Sequence, residues 1–442
     1  MTDRQELNQP IARVDWNSPE QSTRLKKRYR KEKIFKACAI LSLTSAIAAL
    51  MVVMVSIFST GLSGFKETRI ALDVTLDENI IGDIAAMDQI ERENHVATLN
   101  INNLLVRSLQ SKFPEVTSRA DVFGLLRLFS VGAQSDVRQV ILETPELIGQ
   151  TVSMELLAAS DVDMLIKGKI TREVVEADRK VSDKQLAWID QFIFEGRVNQ
   201  NFNWTFFTTG DSREPELAGI WSATVGSFFT LLVTFLISFP VGVGSAIYLE
   251  EFAPKNRLTD LIEININNLA AVPSIIFGLL GLAIFINYIN LPRSAPLVGG
   301  LTLALMTLPT IIITSRAAIK AVPPSIKEAA IGLGASHMQT VFHHVLPLSM
   351  PGILTGSIIG MAQALGETAP LLMIGMVAFI VDTPGGILEA STALPVQVYL
   401  WADSPERGFL EKTSAAIMVL LAFLIIMNGL AIWLRQKFEK KW

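Results

Sequence analysis

The chain has 442 residues, half of them hydrophobic, and a formal net charge of −4. Its positive mean hydropathy excludes an ordinary soluble protein and places it in the membrane class. The single cysteine, Cys38, excludes an internal disulfide. Charge is uneven, because residues 61–216 carry 25 Asp and Glu against 16 Lys and Arg, while the remainder is net basic. An acidic, polar block is therefore inserted between one apolar segment and five others.

The N-terminal part predicts a membrane anchor. Residues 1–36 are polar, and seven basic residues crowd the stretch from Arg24 to Lys33. Such a run directly before an apolar span favours a cytoplasmic N-terminus, although nucleic-acid binding is an alternative interpretation. Residues 37–58 contain nothing more polar than Ser and Thr, and about 20 such residues cross a bilayer. Because a cleaved signal peptide would have a shorter apolar core nearer Met1, we predict an uncleaved anchor helix.

The inserted block, residues 61–216, predicts an α+β domain on the outer, periplasmic face, since about 155 residues can bury a core of their own. The patterns predict a strand over 65–75, helices over 94–109 and 182–195, and a strand over 202–208. Ser182 is the expected N-cap of the second helix, with Gln185 as its reciprocal partner. The block contains no metal-ligand cluster, nucleophile elbow or phosphate loop, and the sequence assigns it no task.

Five further apolar segments complete a predicted total of six transmembrane helices. They cover residues 220–248, 269–289, 297–319, 352–380 and 415–434. Six spans place both termini on the cytoplasmic side, where the basic residues then collect, and the acidic block falls outside because long domains translocate regardless of charge. A charged loop is expected over residues 250–260.

The segment between the fourth and fifth spans, residues 328–347, reads EAAIGLGASHMQTVFHHVLP. A glutamate at a helix start favours the dipole, and the two alanines after it allow close approach to a partner. A glycine then permits a sharp turn, and a Leu-Pro pair is expected to close the loop at the start of the next helix. These positions are Glu328, Ala329, Ala330, Gly334, Leu346 and Pro347. We predict a short helix along the membrane surface that docks onto another protein; an ordinary surface helix is the alternative.

Glu367 is the one carboxylate well inside a predicted span. Burying a charge there costs at least ~2.5 kcal/mol, so such residues are functional candidates. A carboxylate can accept the hydrogen bond of a protonated phosphate but repels a fully deprotonated oxyanion such as sulfate. Pairing with a basic group or backbone across a helix interface is the structural alternative. Thr368 and Arg316 complete the predicted translocation path.

Other motifs predict packing or the absence of chemistry. Gly352, Gly356 and Gly360 recur every four residues on one face of the fifth span, which favours close helix contact. Three loop histidines are too few for a metal site. No GxxxxGK[ST] motif occurs, so ATP would be hydrolysed by a partner chain, and neither a metal nor a cofactor is expected.

Residues 217–437 resemble the PstA-type permeases of bacterial phosphate ABC importers. The matching runs are TVGSFFTLLVTFLISFPVGVGSAIYLEEFAP (224–254), NNLAAVPSIIFGLLGL (267–282), AVPPSIKEAAIGLGAS (321–336), ALGETAPLL (364–372) and LPVQVYLWADSP (394–405). The loop alone indicates only an ABC importer permease, whereas the last two runs are narrower signals. Two departures stand out: His344 replaces the usual isoleucine, and Arg316 lies further past Pro309 than the arginine of many relatives.

The resemblance implies a MetI-like core of five helices in the bacterial inner membrane, forming a transporter subunit and not an enzyme. It also implies four partners: a second homologous permease, a cytoplasmic ATP-binding dimer, a periplasmic phosphate-binding protein and inorganic phosphate as cargo. Residues 61–216 resemble the extra N-terminal domain of some proteobacterial members, for which the resemblance supplies no role. Whether the second permease is another copy of this chain is left open.

Three alternatives remain at this stage. The first is the same machine with another oxyanion as cargo, such as molybdate, sulfate or phosphonate. The second is a membrane sensor, which should carry a cytoplasmic signalling domain, whereas only about eight residues follow the last predicted span. The third is a secondary transporter, which would need no ATPase-docking loop.

Overall fold

The computed structural model describes residues 19–438 except 83, 85, 86, 174, 177 and 178. The strands are β1 Lys66–Thr75, β2 Thr151–Leu157 and β3 Val198–Phe202. Helices of the first half are α1 Pro19–Gly64, α2 Glu78–Ile81, α3 Gln89–Thr98, α4 Ile101–Lys112, α5 Arg119–Leu126, α6 Gly132–Glu143, α7 Ser160–Ile166, α8 Asp183–Phe194 and α9 Trp204–Thr208. Those of the second half are α10 Trp221–Ile247, α11 Arg257–Ala270, α12 Ser274–Gly281, α13 Pro296–Lys320, α14 Pro324–Gly332, α15 His337–Thr340, α16 Leu346–Gly366, α17 Ala369–Met373, α18 Leu394–Ala402 and α19 Gly408–Phe438. Wider π-helical turns extend three of these helices, at Tyr248–Phe252, Leu282–Tyr288 and Val341–Val345.

Helix α1 contains the predicted anchor but begins 18 residues earlier, so the basic run is helical too. The chain divides into two compact units, residues 1–57 and 58–442. In the described part of the first unit, the apolar side chains are exposed. A helix that exposes a stretch of apolar side chains of this length requires a hydrocarbon environment, and a membrane anchor would provide one. Residues 1–18 of the predicted polar N-terminus and 439–442 of the basic tail lie outside the described residues.

Within the described residues, five helices are long and apolar enough to cross a membrane, or six if a bent pair forms one span. They are Ser22–Gly64, Trp221–Phe252, Pro296–Lys320, His337–Gly366 and Gly408–Lys437, and the pair is Arg257–Ala270 with Ser274–Tyr288. The higher number agrees with the six predicted spans. The mostly helical architecture is that of a polytopic membrane protein with an inserted domain.

Two predicted segments differ from the observed helices around the third span. The pair α11 and α12 is bent by 101°, because Pro273 disfavours a helical conformation in the residue before it. The predicted span 269–289 is therefore not straight. The charged loop predicted over 250–260 is also wrong, since a π-helical turn runs to Phe252 and α11 begins at Arg257 after an Asn256 cap.

The inserted block contains a three-stranded antiparallel sheet of order β2-β1-β3, covered by helices that share its buried core. β1 confirms the strand predicted over 65–75, and the Ser182–Gln185 capping box is present. The helix predicted over 94–109 is two helices that break at Leu99. The strand predicted over 202–208 is wrong, because the Asn203 side chain accepts a hydrogen bond from Phe206 N and starts helix α9.

Buried polar contacts join the inserted block to the start of α19. Lys167 Nζ lies 3.1 Å from Glu411 Oε2, and Ser63 Oγ donates to Glu411 Oε1 over 2.8 Å. Lys412 Nζ donates to the backbone oxygen of Ala218 over 3.2 Å. The last turn of α1, the inserted block and α19 are thus fastened together on one side of the helical core.

The run LPVQVYLWADSP (394–405), one of the two narrower signals of the family resemblance, also forms a contact in this region. In α18, the Trp401 indole donates to Asp211 Oδ1 over 2.9 Å, and both residues are buried. Burial raises the pKa of the Asp211 carboxyl because an ionised carboxylate is poorly solvated there. A proton is therefore bound more tightly in the folded chain than in the unfolded one.

We expect Asp211→Asn to raise the melting temperature of the detergent-purified protein at pH 7.5. A raised folded-state pKa means that the aspartate destabilises the folded state as pH rises through that pKa, and an amide removes this cost while its oxygen still accepts from Trp401. The gain should shrink as pH falls toward 4 and vanish below about pH 3.9, the ordinary pKa at which the unfolded carboxyl also becomes protonated. Thermal unfolding across this pH range checks this, and a variant less stable at pH 7.5 would contradict it.

Candidate functional site

The loop between α13 and the next membrane helix is a helix–turn–helix whose turn is stabilised by two backbone hydrogen bonds. Gly334 has φ +91°, a conformation that glycine adopts without strain. Its N–H donates to the Ile331 oxygen over 2.9 Å, and Ala335 N–H donates to the Ala330 oxygen over 3.1 Å. This pair of bonds is a Schellman motif. The sharp turn predicted at Gly334 is confirmed.

The end of the loop differs from the prediction. Ser336 forms a capping box with Gln339, so the next helix begins at His337 and not at the Leu346-Pro347 pair. Pro347 instead lies inside a continuous helical segment that runs to Gly366. Because proline has no N–H and its ring crowds the carbonyl four residues earlier, the helix widens into a π turn at Val341–Val345.

The loop presents an apolar surface. Leu333, at its tip, is 91% exposed, and Ile331 and Met338 are also exposed. Glu328 and Ala329 share this accessible side, whereas Ala330 is buried within the chain. Ala330 therefore packs within this chain, whereas its place in the motif predicts a contact with a partner. Clustered exposed apolar side chains on a short connection are typical of an interaction surface.

The loop is tied to the end of α10 through Glu251. Its carboxylate, only 4% exposed, lies 2.5 Å from Lys327 Nζ on α14. Its backbone oxygen lies 2.8 Å from His337 Nε2 on α15, and the His337 ring packs edge-on against Phe252 at 5.1 Å. One residue at the end of a membrane helix thus holds both arms of the loop.

Arg316 joins the same region from α13. Its guanidinium lies 3.3 Å from Glu250 and 2.7 Å from Glu263 on α11. Both carboxylates are on this chain, so the guanidinium is already paired and α13, α10 and α11 are linked. Sequence reasoning missed Glu250, Glu251 and Glu263. A signal was available, because two adjacent carboxylates at the end of a predicted span need basic partners on neighbouring helices.

The second predicted site, at Glu367, lies at a break in the membrane helices. The span predicted over 352–380 is wrong in its bounds, since α16 ends at Gly366 and Glu367 has an extended backbone with φ −81° and ψ 119°. Thr368 follows, and its oxygen accepts from Leu372 N in the short helix α17. Pro370 stands at the start of α17, where a proline is tolerated but cannot continue α16.

The Glu367 carboxylate is half-buried and makes no hydrogen bond or ion pair with another residue in the described part of the chain. Gln363 and Gly366 beside it are exposed. Irregular backbone at membrane depth is tolerated only where it is buried in protein or lines a water-filled cavity. Among these residues Glu367 therefore has no pairing partner. The short stretch of chain that contains Gln363 and Glu367, called the polar strip below, is suited to face water or a second subunit.

The three spaced glycines of α16 lie against α13. Their nearest neighbours are Ala318 for Gly352, Thr314 for Gly356 and Ile311 for Gly360. An added Cβ at Gly352 would lie 2.6 Å from that of Ala318, which real side chains do not tolerate. Close packing of α13 on α16 thus uses these positions.

Comparison with known proteins matches the two parts of the chain to two different family models. Residues 217–440 match the model for binding-protein-dependent transport system inner membrane components, and residues 22–176 match a domain of unknown function, DUF3333. The probable ABC transporter permease protein YqgI of Bacillus subtilis is 30% identical over 271 residues, which cover 58% of this chain and 90% of that protein. The phosphate transport system permease protein PstA 1 of Mycobacterium tuberculosis is 29% identical over 220 residues, 49% of this chain and 71% of that protein. A chain of the inward-facing MetNI methionine ABC transporter is 18% identical, with a TM-score of 0.39 over 50% of this chain and 98% of that one.

Proposed function

We propose a specific task for this chain on the premise that it belongs to the family of binding-protein-dependent transport system inner membrane components, as a PstA-type permease. It is a multi-pass transporter subunit of the inner membrane and not an enzyme. Its task is to form part of the translocation path for inorganic phosphate and to couple that path to a separate ATPase. The similarity to the mycobacterial phosphate transport system permease supports this cargo.

The observation that carries the coupling role is the exposed loop tip. Leu333 and Ile331 stand in solvent on a turn locked by Gly334, and an apolar anchor of this kind binds tightly only when a partner pocket desolvates it. The cytoplasmic ATP-binding dimer is the partner that the family implies. Glu328 and Ala329 lie beside the tip, so we assign them to the same contact, while Gly334, Leu346 and Pro347 shape the loop.

The remaining partners follow from the same assignment. A homologous permease would face the polar strip at Glu367 and close the path, and a phosphate-binding receptor would deliver cargo on the outer side. Both termini would be cytoplasmic and the inserted domain, residues 61–216, periplasmic. ATP would move the loops, and its stronger binding to one conformation would supply the bias between the outward and inward states.

Glu367 is the residue that we assign to cargo selection. Phosphate at neutral pH retains a proton that a carboxylate can accept in a hydrogen bond, whereas sulfate has none. Because Glu367 has no partner among the residues that the structure describes, its oxygens are available for that contact. Thr368 lies next to it, while Arg316 is already paired with two carboxylates and is better suited to holding helices than to binding cargo.

We expect Glu367→Gln to lower phosphate uptake about 5- to 10-fold or to admit sulfate as a competitor, because the amide oxygen can still accept but replaces a charged hydrogen bond, worth about 1.5–3 kcal/mol, by a neutral one worth about 0.5–1.5 kcal/mol. Labelled phosphate uptake at limiting phosphate would be measured in cells that lack this chain and are complemented with each variant. Glu389→Gln is the matched control, since an amide oxygen can still accept the Gly385 N–H that Glu389 accepts. Normal and selective uptake by Glu367→Gln would overturn the role of Glu367. Unchanged uptake in cells without the chain and without a redundant importer would overturn the cargo.

A further inference from the structure

An aromatic patch on the inserted domain lies outside the site described above. It consists of Phe65, Phe202, Trp204 and Phe207. The ring centroids of Phe202 and Trp204 are 4.9 Å apart, and Phe207 stacks on Phe202 at 5.6 Å. Trp204 is 68% exposed and Phe202 is 47% exposed. Two large aromatic side chains are thus held side by side with about half or more of their surface exposed.

Hydrogen bonds fix this patch at the ends of two membrane helices. Asn203 N donates to the Phe65 oxygen over 2.9 Å, and Asn203 Nδ2 donates to the oxygen of Gly64, the last residue of α1, over 3.4 Å. At the other end of α9, the Trp221 N–H donates to the Thr209 oxygen over 3.1 Å, and Trp221 is the first residue of α10. The patch therefore lies where the chain leaves one span and enters the next.

The aromatic patch is separate from the buried core of the inserted domain. The buried core of the inserted domain contains none of its four residues. Phe65 and Phe207 instead pack on a separate buried cluster, to which α9, α10, α18, α19 and the residues just before α10 contribute. Exposed Phe202 and Trp204 extend this cluster outward, at the level where α10 begins.

We propose that the aromatic patch inserts into the interfacial region of the lipid bilayer and rests the inserted domain on the membrane. Trp and Phe present large apolar faces, and aromatic residues collect at the boundary between lipid and water. Lys66 is exposed and lies directly opposite Phe202 across the β1–β3 ladder, so its amine is placed to meet lipid phosphates. A lipid surface is the occupant because both neighbouring helix ends already define where that surface lies.

If the patch inserts, one end of the inserted domain is held at the membrane surface. β1 runs from Lys66 beside the patch to Thr75 at its far end, and ten strand residues span about 33 Å. Thr151 pairs with Thr75 and therefore lies at the end of the sheet that is far from the patch. These two ends of one sheet offer a near and a far probe position on the same rigid element.

The test uses nitroxide labels in proteoliposomes of phosphatidylcholine and phosphatidylglycerol. The only native cysteine is replaced in a Cys38→Ser background, and one label is placed at Trp204→Cys or, as the distal control, at Thr151→Cys. Collision with oxygen, which concentrates in lipid, is compared with collision with a water-soluble nickel chelate. We expect the label at 204 to collide preferentially with oxygen and the label at 151 with nickel.

Two outcomes would overturn the proposal. Nickel access at 204 equal to that at 151 would place the patch in water, and low access to both reagents at 204 would place it against protein. Phe202→Cys repeats the measurement at a second exposed position, in case the Trp204 substitution disturbs folding. The result does not depend on which oxyanion is carried.

Discussion

Leu333→Asp should abolish stable association with the ATP-binding partner and reduce phosphate uptake to background. The side chain is 91% exposed, so the substitution removes no packing within this chain. In the assembled importer, however, it would place a charge in a desolvated pocket, and anchor residues of this kind contribute about 2–4 kcal/mol or more to binding. A loss of that size corresponds to at least about 30-fold in affinity. Co-purification of the ATPase with affinity-tagged variants, together with uptake in cells, measures both effects.

Phe194→Asp is the matched control for this experiment. Phe194 is also apolar and 93% exposed, but it belongs to helix α8 of the inserted domain. It should leave both association and uptake unchanged, which shows that a new surface aspartate is harmless by itself. If Leu333→Asp retains the ATPase at the wild-type level, the loop tip is not the docking surface, whatever the cargo.

The sequence predicted those structural features that depend on residues close together in the chain. Apolar length found the spans because the bilayer imposes it, and Gly334 and the Ser182–Gln185 box were found because turn and cap chemistry involve only a few consecutive positions. The strand predicted over 202–208 is wrong because of another short-range cap. Its aromatic composition favours a strand, but the single Asn203 cap converts it into a helix.

What the patterns missed depends on residues that are far apart in the chain. Glu251 and Lys327 are separated by 76 positions, and Arg316 and Glu250 by 66. Composition shows that such charges need partners but not which partners they find. The same holds for Ala330, whose motif predicts an exposed contact but whose side chain is buried by the fold. Candidate sites were therefore predictable as positions, while the ties between them required the structure.

Those ties indicate how movement at the loop reaches the membrane helices. The loop contacts α10 through Glu251, and α10 contacts α13 and α11 through Glu250, Arg316 and Glu263. If an ATPase displaces the loop tip, as we propose, these ion pairs near the helix ends would transmit the movement to three helices. Glu367 directly follows the end of α16, which continues from the loop, so we expect the same displacement to act on the proposed path.

Reversing the Glu251–Lys327 pair should test this transmission. We expect Glu251→Lys or Lys327→Glu alone to lower uptake at least about 10-fold, because breaking this part-buried ion pair leaves an uncompensated charge, at a cost below the about 3–5 kcal/mol of a fully buried pair. The double variant re-forms the pair with its charges exchanged and should recover most of the uptake. Uptake and ATP hydrolysis are measured together in proteoliposomes, since a loosened loop should uncouple hydrolysis from transport while the ATPase stays bound.

Lys320→Glu is the control for charge alone, because Lys320 is exposed at the end of α13 and forms no ion pair with another described residue. It should transport normally. Recovery in the double variant distinguishes a specific tie from general destabilisation, since two independent destabilising changes would add and not cancel. If the double variant is as defective as either single one, at equal abundance in the membrane, the pair does not transmit the loop movement. The connection from the loop to α10 would then rest on the His337 contact with the Glu251 backbone.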